Sequence, residues 1–311
     1  MHPTNDDKTY DIVAMGEGMV EFNQTTPGLP QYLQGFGGDT SNAVIAAARA
    51  GARCAYITAV GNDDFGQKLL DLWALEAVDT AQAAIDNIAP TGLYFVTHGA
   101  AGHTFTYRRA GSAAAVMTLT DRQCEAIASA RLLHLSGISL AISPHAHTQC
   151  LHALRVAQAA GTQISFDSNL RLKLWSLEAA RAAMLPVIAQ TDIFLPSLDD
   201  VTVLSQLTAP AAIVQWSHDQ GAKSVVLKMG AQGVLYSDGQ QSQHLPALPV
   251  HAVDATGAGD CFGGNLIARL VLGDTLPQAV RYANAAAALA VQGFGAVAPL
   301  PTPEAVYRLL G

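Results

Sequence analysis

Short runs of β-forming residues alternate with longer stretches of helical periodicity along most of this chain, and that rhythm admits few folds. Strands joined by crossover helices pair in parallel, and a parallel sheet needs helices on both of its faces. The candidate strands are residues 11–16 (DIVAMG), 54–61 (CAYITAVG), 131–137 (RLLHLSG), 163–167 (QISFD), 192–197 (DIFLPS) and 224–230 (SVVLKMG). Helical patterns occupy 40–50, closed by Gly51 as a C-terminal cap, then 64–77, 144–160, 178–190, 258–272 and 276–292. The expected class is α/β, a doubly wound and mostly parallel sheet flanked by helices. Several of these strands end in Gly, Asp or Ser, and open α/β sheets bind ligands just beyond the carboxyl ends of their strands.

Two segments, 17–36 and 92–109, break the rhythm and have the Gly and Pro turns of β-hairpins. They are expected to form a small β-sheet lid on a single domain spanning residues 1–311, since no repeat or long linker interrupts the chain. Half of the residues are hydrophobic and 14% are charged, which excludes an extended disordered chain. The net charge of −8 argues against a nucleic-acid partner, which would need clustered Lys and Arg. Four scattered cysteines, Cys54, Cys124, Cys150 and Cys261, suggest neither a zinc site nor a disulfide framework. The polar N-terminus lacks the pattern of a signal peptide. The apolar stretches 40–60 and 282–300 are interrupted by Arg49, Arg53, Asn284 and Gln292, so no membrane span is expected and the chain is placed in the cytoplasm.

The segment with most chemistry is 254–260, Asp-Ala-Thr-Gly-Ala-Gly-Asp, which leads into an apolar helical stretch. Glycines just before a helix let successive amides point at one anion, with the helix dipole behind them. This makes a phosphate cradle of neither the Walker nor the dinucleotide type. Asp260, at the start of that helix, would repel a phosphate unless it takes the proton of a hydroxyl attacking it. The plainer alternative is that Asp254 and Asp260 are a turn residue and a helix-start residue, where Asp is favoured in any case.

Together with its neighbours this segment resembles the ribokinase/PfkB family of carbohydrate kinases. DATGAGDCFGG (254–264) is similar to the family's C-terminal signature, GGDTSNAVIAAARAGA (37–52) to its sugar-binding signature, and VVLKMGAQGVLY (225–236) to its nucleotide-loop strand pair. The resemblance implies phosphorylation of a sugar hydroxyl by ATP with Mg2+, and it leaves room for a monovalent cation. Asp260 would be the base and the amides of Gly257, Ala258 and Gly259 the anion hole. Gly38, Asp39 and Asn42 would bind sugar hydroxyls, and Tyr94 and Tyr107 would line the lid side of the pocket. Nucleotide contacts would come from Asn169, Ser197, Lys228, Gly230, Gly233, Gly257, Gly259 and Asn284. Many family members carry N-x-x-E after the strand at 192–197, whereas this chain has Ser197-Leu198-Asp199-Asp200. Asp200 is left to hold Mg2+ through water.

Within the family, YRRAGSAA (107–114) and FDSNLRLKLW (166–175) resemble the kinases of 2-keto-3-deoxygluconate. A sugar acid presents a carboxylate, which a guanidinium fork binds with two charge-assisted hydrogen bonds. Arg109 on the lid and Arg171 past a strand end are the candidates, and Arg108 should face solvent. A neutral-sugar kinase and a non-catalytic sugar or nucleotide sensor are the competing readings. A homodimer through the lid is expected from the same resemblance. His145 and His147, two apart on a helix, face different ways and suggest no metal pair. Asp63 and Asp64 suit a helix N-terminus.

Overall fold

The computed structural model describes residues 8–99 and 102–311. The chain opens with strand β1 (Tyr10–Met15) and the antiparallel pair β2 (Met19–Gln24) and β3 (Tyr32–Gly37). There follow helix α1 (Asp39–Arg49), β4 (Cys54–Gly61), α2 (Asp64–Leu75), β5 (Val78–Asp79) and β6 (Ala83–Asp86). A second antiparallel pair, β7 (Leu93–Gly99) and β8 (Gly102–Arg108), leads into α3 (Ala113–Val116), α4 (Asp121–Ala128), β9 (Ala130–Ser136), α5 (Gly137–Ala141) and α6 (Pro144–Ala160). Next come β10 (Gln163–Asp167), α7 (Leu177–Ile188), β11 (Ile193–Leu195), α8 (Leu198–Ser205), α9 (Pro210–Asp219) and β12 (Ser224–Lys228). The last third holds β13 (Val234–Ser237), β14 (Ser242–Leu245), α10 (Ala258–Val271), α11 (Leu276–Ala290) and α12 (Pro303–Leu310).

The main sheet has the order β14-β13-β12-β11-β10-β9-β1-β4-β5, with β6 also on β4. It is parallel except where β13 and β14 finish one edge in antiparallel pairing. Successive residues of a strand face opposite ways. Ile12 and Ala14 accordingly join the core under α1, α2, α10, α11 and α12, while Val13 and Met15 join the core under α3 to α9. All eight residues of β4 are buried, as a strand covered on both faces requires. The lid is a separate sheet of order β3-β2-β7-β8, in which β2 and β7 run parallel and the outer pairs antiparallel.

Two features place the functional residues. The strand order reverses at β1, which sends α1 to one side and, later, β9 and β10 to the other. The crevice beyond the carboxyl ends of these strands is therefore the topological switch point. Helices α1 and α10 also approach closely at Gly264, where an added Cβ would lie 2.1 Å from the Ala43 carbonyl oxygen. That contact fixes the N-terminus of α10 beside that of α1.

Candidate active site

The segment 254–257 is held before it delivers the helix. Asp254 Oδ1 accepts from the Thr256 N–H (2.9 Å) and hydroxyl (2.6 Å), and its Oδ2 accepts from the Gly295 N–H at 2.9 Å. Gly257 caps α10 with φ +72°, a left-handed value that other residues adopt at a cost. Helix N-termini leave their first amides unpaired within the helix. Of the three amides expected to face an anion, that of Ala258 turns back to the Ala255 carbonyl at 3.2 Å. Those of Gly257 and Gly259 enter no backbone hydrogen bond among the described residues.

Asp260, in the first turn of α10, accepts from the Asn42 amide at 2.8 Å. Its carboxyl is pushed up to about 7, first by burial and then by the charge of Asp39, with Asp167 adding to the rise; the Asn42 hydrogen bond and Lys228 pull the other way. Asp39 opens α1, and its Oδ2 accepts from the Asn169 amide at 2.8 Å. Lys228, at the end of β12, donates to Asp167 Oδ2 at 2.5 Å, and its ammonium lies 3.5 Å from where a Cβ on Gly259 would stand. Burial raises the Asp167 carboxyl, and Lys228 opposes the rise. Five stretches distant in sequence, 38–42, 167–171, 197–200, 228 and 257–260, thus share one polar cluster at the switch point.

Several residues stand differently from the sequence expectation. Asn169, at φ +26°, spends its amide on Asp39 and so lies against a residue expected on the sugar side. The Asn284 amide holds the Pro246 carbonyl at 3.0 Å. Gly233 is required by packing, because a Cβ there would lie 2.1 Å from the Leu245 carbonyl oxygen; Gly230 opens the short turn between β12 and β13. Ser197 caps α8 through the Asp200 N–H at 3.2 Å. Asp200 Oδ2 accepts from the Ser168 hydroxyl (2.9 Å) and the Leu170 N–H (3.1 Å), which pins the loop after β10.

Tyr94 and Tyr107 are partners across β7 and β8, with ring centroids 5.8 Å apart. The Tyr94 hydroxyl donates to Glu21 at 2.5 Å, and burial and that carboxylate together drive its acidity well below that of an ordinary phenol. The two arginines part company. Arg109 is not on a lid strand; it follows β8, is buried, and its Nη2 lies 2.5 Å from Glu17 Oε2. Arg171 is exposed, makes no carboxylate ion pair among the described residues, and its charge acts on Tyr107. Sequence reasoning passed over Asp167, Glu17 and Glu21. Asp167 ends a β-run in the quoted FDSNLR segment, which is a usable signal, but Glu17 and Glu21 look like ordinary hairpin residues until the lid is assembled.

His145 and His147 form no metal group with other residues, and no cluster of three or more His, Cys, Asp or Glu side chains that could hold an ion occurs among the described residues. Asp63 caps α2 as expected, and Cys261 is fully buried. No helix among the described residues is long and apolar enough to cross a membrane.

A glycine-led helix N-terminus, a lysine and a raised carboxylate gather beyond the strand ends, an arrangement suited to holding an anion next to a proton acceptor. Residues 6–303 match the pfkB family carbohydrate kinase. The 2-dehydro-3-deoxygluconokinase of Thermoproteus tenax is 34% identical over 96% of this chain and 94% of its own length. Fructokinase-1 of Zea mays is 32% identical over 96% and 97%. The crystal structure of the fructokinase of Vibrio cholerae O395 with fructose, ADP and calcium ion superposes with a TM-score of 0.84 at 27% identity, covering 97% of this chain and 99% of that one. The chain belongs to the pfkB family of carbohydrate kinases, with a ribokinase-like fold.

Proposed function

We propose that this kinase transfers the γ-phosphoryl group of ATP to the 6-hydroxyl of 2-keto-3-deoxygluconate, giving 2-keto-3-deoxy-6-phosphogluconate and ADP. The observation that carries the choice of a sugar acid is Arg171: an exposed guanidinium that makes no carboxylate ion pair among the described residues and whose charge acts on Tyr107, in a site otherwise rich in Asp. A neutral sugar gives that charge nothing to hold, whereas a carboxylate fits its fork. The likeness to the Thermoproteus tenax enzyme supports the same reading. Arg109, with its charge spent on Glu17, is assigned a supporting place under the Tyr107 ring, 5.8 Å from its centroid.

In the transfer, the acceptor oxygen forms its bond to the γ-phosphorus as the bond to the β–γ bridging oxygen breaks, and ADP leaves with that oxygen. Asp260 takes the hydroxyl proton; a carboxyl raised to about 7 is a far better base near neutral pH than an ordinary Asp. Asn42 orients it, and Gly38 and Asp39 are assigned to the sugar hydroxyls. The amides of Gly257 and Gly259, with Lys228 and the helix dipole, meet the charge on the phosphates. Ser197, Asn169, Gly230, Gly233 and Asn284 are kept as nucleotide-side residues, most of them shaping the backbone around it.

A magnesium ion fits this donor set in the way the metal prefers, through few protein ligands, several waters and the phosphates themselves. Asp200 would hold it through water by Oδ1, since Oδ2 is taken by Ser168 and Leu170. When bound, the ion neutralises charge on the β- and γ-phosphates.

The deciding experiment is ATP consumption over a panel of sugar acids and neutral sugars. 2-Keto-3-deoxygluconate should be the fastest acceptor; rapid turnover with fructose and none with any sugar acid would leave a neutral-sugar kinase. We also propose a homodimer through the lid, whose edge strand β3 exposes Tyr32 (39%) and Leu33 (68%). Sedimentation should give a dimer that Leu33→Asp dissociates, and a monomeric wild type would remove the proposal.

A further inference from the structure

Glu17 is 2% exposed and has no part in the chemistry above. It lies between β1 of the main sheet and β2 of the lid, and every passage of the chain between these two bodies comes against it. The first passage is its own. On the second, from β3 into α1, a Cβ on Gly38 would stand 2.2 Å from the Glu17 carbonyl oxygen. On the third, into β7, a Cβ on Gly92 would stand 2.6 Å from Glu17 Oε1. On the fourth, leaving β8, Arg109 Nη2 is 2.5 Å from Oε2 and the Ser112 hydroxyl donates to Oε1 at 2.6 Å.

Stability does not account for a charge here. Burial raises the Glu17 carboxyl against the pull of Arg109 and Ser112, and well-packed apolar side chains often replace a buried ion pair without loss. The pair meets at one point, Arg109 Nη2 against Glu17 Oε2, and Arg109 Nε makes no hydrogen bond among the described residues, so the Glu17 carboxylate is what fixes the place of the guanidinium. Above it the Tyr107 ring stands beside that of Tyr94, on whose hydroxyl the Asp260 charge acts. The hinge, the arginine, the tyrosine pair and the site therefore form one chain of contacts.

We infer that Glu17 is the pivot of the lid, a positioning residue whose charge holds Arg109, and through it Tyr107, in register over the acceptor sugar. Held so, the lid keeps water from competing with the sugar hydroxyl for the phosphoryl group. The inference rests on the reading of the lid as the cover of the acceptor, but not on which sugar that is.

Glu17→Gln keeps the length of the side chain and an acceptor for Ser112 while removing the charge, and Glu17→Asp keeps the charge at shorter reach. The acceptor used is whichever sugar the wild type phosphorylates fastest, so an error in the choice of substrate leaves this test intact. For Glu17→Gln, KM for the sugar should rise about tenfold while KM for ATP stays within about twofold, as expected when one substrate's positioning is lost. Phosphate released to water per sugar phosphorylated should rise with it, and Glu17→Asp should recover part of both effects. Sugar-induced protection of β2 and β7 from hydrogen exchange should weaken in Glu17→Gln. If both KM values move together, or activity falls only in proportion to folded protein with the water leak unchanged, Glu17 is a structural residue and the inference is overturned. Should Glu17→Gln not fold, the double variant Glu17→Gln with Arg109→Met, which leaves no buried charge unpaired, is read by the same measurements.

Discussion

Replacing Asp260 by Asn should leave ATP and sugar binding within a few fold of wild type while kcat falls by about 10² to 10⁴, the range general-base assistance provides. Asn has nearly the same shape, can still pair with Asn42, and removes only the site that receives the proton. Because phosphoryl transfer depends mainly on positioning and charge neutralisation, the residual rate should be measurable. The pH dependence gives a second reading. A base works deprotonated, so kcat/KM of the wild type should fall tenfold per pH unit below about pH 7, the value to which burial and Asp39 raise Asp260, and level off above it. In Asp260→Asn that acid limb should vanish from the residual activity. Near-normal kcat, or an acid limb that persists in the variant, would remove Asp260 from the base role and leave the plainer assignment as a helix-start residue.

Much of this was legible in the sequence, for reasons that differ from element to element. The strands at 54–61 and 163–167 and the helix at 144–160 coincide with β4, β10 and α6, because the buried β4 is a nearly continuous apolar run, β10 is a short β-run bounded by Gly161 and Asp167, and a Pro start with a Gly end brackets a helix. Helices α4, α8, α9 and α12 were not anticipated; each has ten residues or fewer, too short for periodicity to speak, although Thr120 and Gln123 form a capping box. The lid was visible as turn-rich interruptions, but the parallel pairing of β2 with β7 was not, since it joins two hairpins that lie far apart in the sequence. Within the site, Asp260 and Asn42 were legible because they sit in local motifs. The Asp167–Lys228 pair, 61 residues apart, and Glu17–Arg109 join distant segments, and no local pattern announces such a partnership. Arg109 shows the limit most clearly: its residue type suggested a carboxylate, and the carboxylate it meets is one of the protein's own.

That partition makes the two arginines separable by experiment. Arg171→Leu should lower kcat/KM for 2-keto-3-deoxygluconate by about 10², mostly through KM, and leave any residual turnover of fructose nearly unchanged. Each charge-assisted hydrogen bond contributes about 1.5–3 kcal/mol, and an exposed guanidinium is partly screened by water, so about 2.7 kcal/mol, or 10², is the expected size for a two-pronged contact. Since Arg171 makes no ion pair among the described residues, thermal stability should hardly change. Arg109→Leu should do the reverse. It strands a buried Glu17, a loss that commonly costs about 3–5 kcal/mol, softened here because the Glu17 carboxyl is already inclined to take a proton. The melting temperature should therefore fall, and turnover of acid and neutral sugars should decline together. Equal loss for fructose and for the sugar acid in Arg171→Leu would show that Arg171 reads no carboxylate, and the neutral-sugar reading would then take the place of the one proposed.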